Sequence, residues 1–298
     1  MKTAGVAYSA AAVLPVLLSF LVSLIITAVR GEPFKSASEY PDWYIYIAYL
    51  LPQLCLAAGA AFFFLRTKEP LTAAWQKCKW YYFPIAVLMQ FGLLFSVSEL
   101  TDLFVKGLEL FGYQSAEPPV PALGGWNLLP ALLVIALFPA IFEETLFRGI
   151  LSRTTYQRGW GLYSSALITG ALFALFHGSP EQTVYQFVCG ACFSLIALRS
   201  GSVFPTAVAH FLNNAVILIL SSLGYQSSWN MPQGAYIAVC VISGVCFLAS
   251  LAFLIVYGGK KENRGVKGGK LFFLGAAVGI VLLLAEWIYS LVGGFLGG

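Results

Sequence analysis

Charge is what this chain of 298 residues lacks. Only 10% of its residues are charged, against about a quarter in soluble domains, while 59% are hydrophobic and the mean hydropathy is +0.81. That scarcity excludes an ordinary soluble globular domain. Histidine is scarcer still, with two residues, His177 and His210. No HExxH helix, serine nucleophile elbow or glycine-rich phosphate loop occurs, which removes the commonest zinc-protease, serine-hydrolase and nucleotide-binding readings. The basic residues form no aromatic-interleaved patch, so nucleic acid is not an expected partner. Six cysteines lie in or beside apolar segments rather than in a secreted framework, and read as small hydrophobes. Cys189-Gly-Ala-Cys192 has CxxC spacing, with helix packing preferred there over redox or metal chemistry.

What the chain has instead is long apolar runs. Windows near the length of a membrane-spanning helix fall at 6–29, 44–65, 81–100, 127–152, 164–179, 182–198, 203–223, 234–257 and 271–293. The expected fold is all-α: a polytopic transmembrane bundle forming one membrane domain over 1–298, embedded in a lipid bilayer. The two short windows at 164–179 and 182–198 are either two spans or one re-entrant pair. The first run exceeds the apolar core of a signal peptide and lacks a good cleavage site, so it is expected to be a retained helix. Aromatic residues such as Trp75, Trp80 and Tyr82 near span ends suit interface belts, and Glu286 beside Trp287 is expected at an interface.

Positive charge orients the bundle. Taking connections alternately from the N-terminus, one set holds fourteen of the 17 Lys and Arg, and the opposite set holds Arg30, Lys35 and Lys106. The N-terminus is therefore expected in the cytoplasm. The run Lys260 to Lys270 contributes five of the fourteen and has anionic-lipid contact as a secondary role.

Two carboxylates and an arginine interrupt the fourth run, at Ile141 to Ile150, IFEETLFRGI. An ionised group at the centre of a membrane helix costs roughly 2.5–3.5 kcal/mol, so such residues usually face a bundle interior and act there. Glu144 and Arg148 are i and i+4, on one helix face and in the favourable order for an ion pair, while Glu143 points about 100° away. The spacing predicts that Arg148 neutralises Glu144 and leaves Glu143 free for chemistry. A helix-end charge cluster that merely anchors the segment is the alternative. His210 and Asn214 are likewise i and i+4 on the seventh run, with Asn213 turned off that face as interhelical glue. His177 ends the fifth run, where a capping role competes with a catalytic one.

Together the three segments supply a base, a water-orienting group and paired donors, the parts that amide hydrolysis needs. A non-catalytic peptide-binding immunity or scaffold protein and an ion-coupled transporter are the competing classes. With the fourth span ending at Ser152 and the fifth starting at Ser164, Glu144 lies about 12 Å and His177 about 20 Å from the cytoplasmic end. Tilt, reach or a later helix start has to remove some 8 Å. This placement leads to the expectation that the site opens to the cytoplasmic half.

The residues also carry a family resemblance. Glu143 to Arg148 resembles the EExxxR motif, Phe173 to His177 the FxxxH motif and His210 to Asn214 the HxxxN motif of the CAAX prenyl protease 2 and Abi (CPBP) family, in the same order. The resemblance covers roughly 142–214 and puts the motif-bearing core at about 127–223. It implies a glutamic intramembrane endopeptidase with an eight-helix core, here with a ninth, C-terminal helix. Glu143 and His177 would activate water, His210 and Asn214 would form the oxyanion site, and Glu144, Arg148 and Phe173 would support them. The expected partner is a peptide or membrane-protein substrate. No cofactor is expected; zinc held by Glu143, His177 and His210 with water as fourth ligand is the alternative. Similar proteins are widespread in bacteria that lack prenylated CAAX proteins. A bacterial cell membrane is thus the expected location, and the substrate does not carry over.

Overall fold

The computed structural model describes residues 1–34, 39–115, 118–225, 231–257 and 268–297. Among them the chain is helical, with no strand. Nine rods follow one another: α1 (Lys2–Arg30), α2 (Asp42–Thr67), α3 (Tyr82–Glu109), α4 (Gly125–Gln157), α5 (Leu162–Phe176), α6 (Thr183–Ser200), α7 (Phe204–Ser222), α8 (Gln233–Val256) and α9 (Gly269–Leu296). All but α5 are long and apolar enough to cross a membrane. The protein is a multi-pass helical bundle.

Several boundaries differ from the hydropathy windows, and the differences have local causes. α3 continues past residue 100 because its last turns, Ser98–Glu109, are amphipathic rather than non-helical. α4 runs five residues beyond Ser152, through Arg153–Gln157. This settles the depth mismatch. Glu143 lies fourteen residues before Gln157 and His177 fifteen after Leu162, so both stand about 21–22 Å from that end.

The two short windows form a tight hairpin of α5 and α6. A Cβ on Gly170 would lie 2.8 Å from the Ala191 nitrogen, and one on Gly190 would lie 2.8 Å from the Gly170 Cα. The middle of the CxxC sequence is thus a backbone-to-backbone contact, and both cysteines are free thiols. The hairpin tip stops short of the bundle end, since Trp287 Nε1 donates to Thr183 Oγ1 at 2.8 Å and Glu286 stands beside Gly178. These α9 residues come nine and ten positions before Leu296, or about 15 Å. Glu286 and Trp287 therefore sit below the helix end, against the hairpin, rather than at the interface that their aromatic flank suggested.

The bundle has two chemically distinct ends. Lys2, Lys68, Lys77, Lys79, Arg158 and Lys270 cluster at one, here called the basic end, with the loops after α2, α4 and α6. The loops after α1, α3 and α7 mark the other. Lys35 and the run from Lys260 to Lys267 lie outside the described residues. Two of the aromatics expected in interface belts also bond into the bundle from the basic end. Trp75 Nε1 donates to Thr145 Oγ1 at 3.1 Å, and Tyr82 donates to the Arg199 carbonyl at 2.9 Å.

Candidate active site

α4 is the element that carries both acids, and its backbone departs from α geometry around them. It widens into π turns over Leu132–Leu137 and again over Glu144–Ser152. Such widenings are rare and cluster at functional sites. All nine residues of the second are buried. Pro139 adds a further defect: it has no N–H to give to the Ile135 carbonyl four residues back. That carbonyl instead accepts the Asn214 side-chain amide of α7 at 3.0 Å.

The two acids are divided as their spacing predicts. Glu144 is fully buried, and its Oε1 meets Arg148 Nη1 at 3.0 Å and His210 Nδ1 at 3.0 Å. The Arg148 guanidinium carbon lies 4.1 Å from the centre of the Phe173 ring and 5.4 Å from that of Phe193. A desolvated cation over aromatic faces gains about 2 kcal/mol. Glu143 is 6% exposed, with Oε1 accepting a 2.9 Å hydrogen bond from Gln53 Nε2 of α2. Its Oε2 has no hydrogen-bond partner among the described residues and lies 3.9 Å from His210 Nε2.

The histidine tautomers follow from their partners. His177 Nδ1 lies 2.8 Å from the Phe173 carbonyl, which can only accept, so Nδ1 carries the proton and Nε2 keeps its lone pair when the ring is neutral. Phe173 thereby serves twice, through its ring under Arg148 and through its carbonyl on His177. His210 gives its Nδ1 proton to Glu144, and its Nε2 donates only when the ring holds both protons. The carbonyl opposite Asn214 likewise makes the facing group its NH2, with one N–H still available. Asn214 Oδ1 accepts from Asn213 Nδ2 at 2.9 Å, and Asn213 Oδ1 accepts from Gln90 Nε2 at 2.7 Å and from Tyr185 at 3.3 Å. Asn213 is thus glue, as its rotation off the His210 face suggests, and the glue fixes the orientation of Asn214.

Glu143, His177, His210 and Asn214 all line one cavity of about 510 Å³, and Phe173 forms part of its wall. Gln53, Gln90 and Tyr185 also line it and carry no motif. The available signal for the two glutamines was their rarity inside apolar runs. Glu144 and Arg148 do not line the cavity but stand behind it.

The cavity does not open toward the basic end. Its outer wall includes Pro118 and Val120 of the loop after α3, Tyr49 of α2 and Gln182 at the hairpin tip, all on the opposite side. A separate recess of about 260 Å³ lies on the basic side, lined by Arg148, Gly149, Arg153 and Ser202 among others, and no residue lines both. The site was expected to open on the side of the basic loops, read as the cytoplasmic half, and the cavity instead lies on the other side of the acids. Depth along α4 was read from the charges that follow it, and those charges do not say on which side of the acids the bundle is hollow.

Among the described residues no three His, Cys, Asp or Glu side chains form a group able to hold a metal ion. Glu143, His177 and His210 share the cavity, each histidine with its Nδ1 bonded to a neighbour, but the three do not close into such a group.

Residues 125–216 match the family model described as type II CAAX prenyl endopeptidase, Rce1-like. The matched stretch runs from the start of α4 into α7, contains all three motifs, and bears out the resemblance carried by those motifs. No curated protein and no solved structure gives a significant match.

Proposed function

We propose that the protein is an intramembrane endopeptidase that hydrolyses a peptide bond with water activated by Glu143. The observation that carries this reading is the convergence of Glu143, His177, His210 and Asn214, from three separate elements, on one cavity. In the proposed reaction a water between Glu143 Oε2 and His177 Nε2 loses a proton to Glu143 as its oxygen attacks the carbonyl carbon. Asn214 Nδ2 donates to the oxyanion that forms, with His210 beside it, and a donor already in place costs no reorganisation at that moment. Collapse breaks the C–N bond, and Glu143 returns the proton to the leaving amine. Glu144 and Arg148 act through His210, supplying it with an acceptor and a fixed position. No step in this scheme uses a metal.

The test is hydrolysis of membrane-presented peptides by purified protein. Glu143→Ala and His177→Ala are expected to abolish it, while Glu144→Gln chiefly lowers stability. Full activity of Glu143→Ala would sink the proposal.

A further inference from the structure

We infer that the cavity takes a positively charged peptide segment presented from the bundle end opposite the basic loops, which by the charge bias of those loops is the extracytoplasmic side. The inference deepens the peptidase reading and rests on it.

Access comes first. The hairpin tip stops about 15 Å short of the end of α9, and the loop after α3 occupies the space above it, with Tyr113 packed on Phe295. That loop is held by Tyr113, whose hydroxyl donates to Glu181 Oε1 at 2.6 Å, and by Pro119, whose carbonyl accepts from Tyr49 at 3.2 Å. Behind the cavity the buried Arg148 stands between it and the recess on the basic side. A peptide reaching Glu143 therefore passes Pro118, Val120 and Gln182.

The chemistry of the cavity then specifies its guest. Gln53 and Gln90 are 7% and 5% exposed, both line the cavity, and Oε1 of each lacks a hydrogen-bond partner among the described residues. Glu143 Oε2 is in the same state. All three atoms are acceptors, and that of Glu143 is kept for the water it activates. A buried acceptor left unmet is costly, and a guest rich in donors, such as an ammonium or guanidinium beside peptide N–H groups, satisfies the two glutamine oxygens while the Glu143 charge attracts it. On the bundle half opposite the basic loops Glu181 precedes the cavity-lining Gln182, and Asp42 and the exposed Glu286 lie on the same half, while its described bases are Arg30 and Lys106. Like charges on one half attract the opposite charge from a distance and raise its rate of arrival, an effect that salt weakens. The acids of that half and the buried acceptors thus favour the same guest.

The test uses full-length protein carrying His177→Ala, which keeps every acceptor, in lipid vesicles of known sidedness. The probes are membrane-impermeant fluorescent peptides, identical except for lysine, glutamine or glutamate at the same positions. The lysine peptide should bind at least about tenfold more tightly than the glutamine peptide, and the glutamate peptide least. Added salt should shrink the differences, and binding should occur only from the side of the loop after α3. Gln90→Met should remove much of the lysine preference. Glu181→Gln, isosteric and able to keep a bond to Tyr113 or Ser179, should reduce the salt-dependent part. Equal affinity for the three peptides, or binding only from the basic end, overturns the inference. Binding as described without cleavage by the native protein would instead count against the peptidase reading, so the two failures are distinct.

Discussion

Removing Arg148 is the sharpest perturbation of the frame behind the cavity. At an effective dielectric of about 20, unit charges at the observed 3.0 Å attract by roughly 5.5 kcal/mol, and the cost of desolvating both ions offsets much of that. What Arg148→Ala leaves is Glu144, fully buried, with His210 as its remaining partner. An uncompensated buried charge costs about 3–5 kcal/mol, and the lost contact with Phe173 and Phe193 adds about 1 kcal/mol or more. Either term is a large share of a stability of about 5–15 kcal/mol. The double variant Glu144→Gln with Arg148→Met removes both charges, keeps an acceptor for His210 Nδ1 and refills the space between the rings. It is expected to recover most of the loss, because a buried ion pair exchanged for apolar groups is often neutral in stability. The assay is denaturant unfolding in one detergent of the wild type, Arg148→Ala, the single variants Glu144→Gln and Arg148→Met and their double variant, the last three forming a double-mutant cycle with the wild type. An Arg148→Ala protein as stable as the wild type, or a double variant no better than that single one, refutes the assignment of Arg148 as the neutralising partner.

Four further outcomes follow from the geometry. Gln53→Leu deletes the 2.9 Å bond to Glu143, and since bonds to charged groups contribute about 1.5–3 kcal/mol, peptidase kcat should fall about 10- to 100-fold with a smaller change in KM. An unchanged kcat would show that Gln53 does not position the base. Asn213→Leu removes the donor that fixes Asn214 Oδ1, and is expected to lower kcat about tenfold, less than the loss of the oxyanion donor itself. Gly170→Leu drives a side chain into the Ala191 backbone and should cost about 1–3 kcal/mol in unfolding assays, with expression of folded protein as the first readout. Dialysis against a chelator should leave peptidase activity unchanged, and activity lost to the chelator and restored by zinc would reopen the metal arrangement.

Where a pattern repeats at helical spacing, the sequence alone was sufficient. Glu144 with Arg148, and His210 with Asn214, are i and i+4, and both pairs share a face as that spacing requires. The separate role of Glu143 followed from the same 100° rotation. What spacing could not supply is everything that depends on a second helix. Gln53 and Gln90 belong to no motif, and only the packing of α2 and α3 against α4 and α7 brings them to the cavity. The acceptor for Asn214 is a backbone carbonyl, legible only after Pro139 is seen to free it. Helix ends were misjudged where an amphipathic turn prolongs an apolar run, and α4 shows the consequence. Its extra turn through Arg153–Gln157 brings Glu143 and His177 to one depth.

The arrangement also explains why so few charges suffice. Water must reach Glu143 from one side, yet a continuous polar path through the bundle would breach the membrane. The chain meets both demands with one helix turn. Glu143 faces the hollow side, and Glu144, one residue on and turned by about 100°, faces a layer closed by Arg148 between two phenylalanine rings. His210 bridges the two, with Nδ1 on the sealed acid and Nε2 toward the open one. On the proposed mechanism, a peptide bond brought to Glu143 meets groups backed by a neutralised, dehydrated wall, where donors and charges act more strongly than in water. Opening that wall should impair the reaction and the barrier together. A variant such as Phe193→Ala, on the wall and outside the groups that activate the water, should therefore raise ion leak through reconstituted vesicles while lowering kcat, and a fall in kcat with no leak would separate the two functions of the layer.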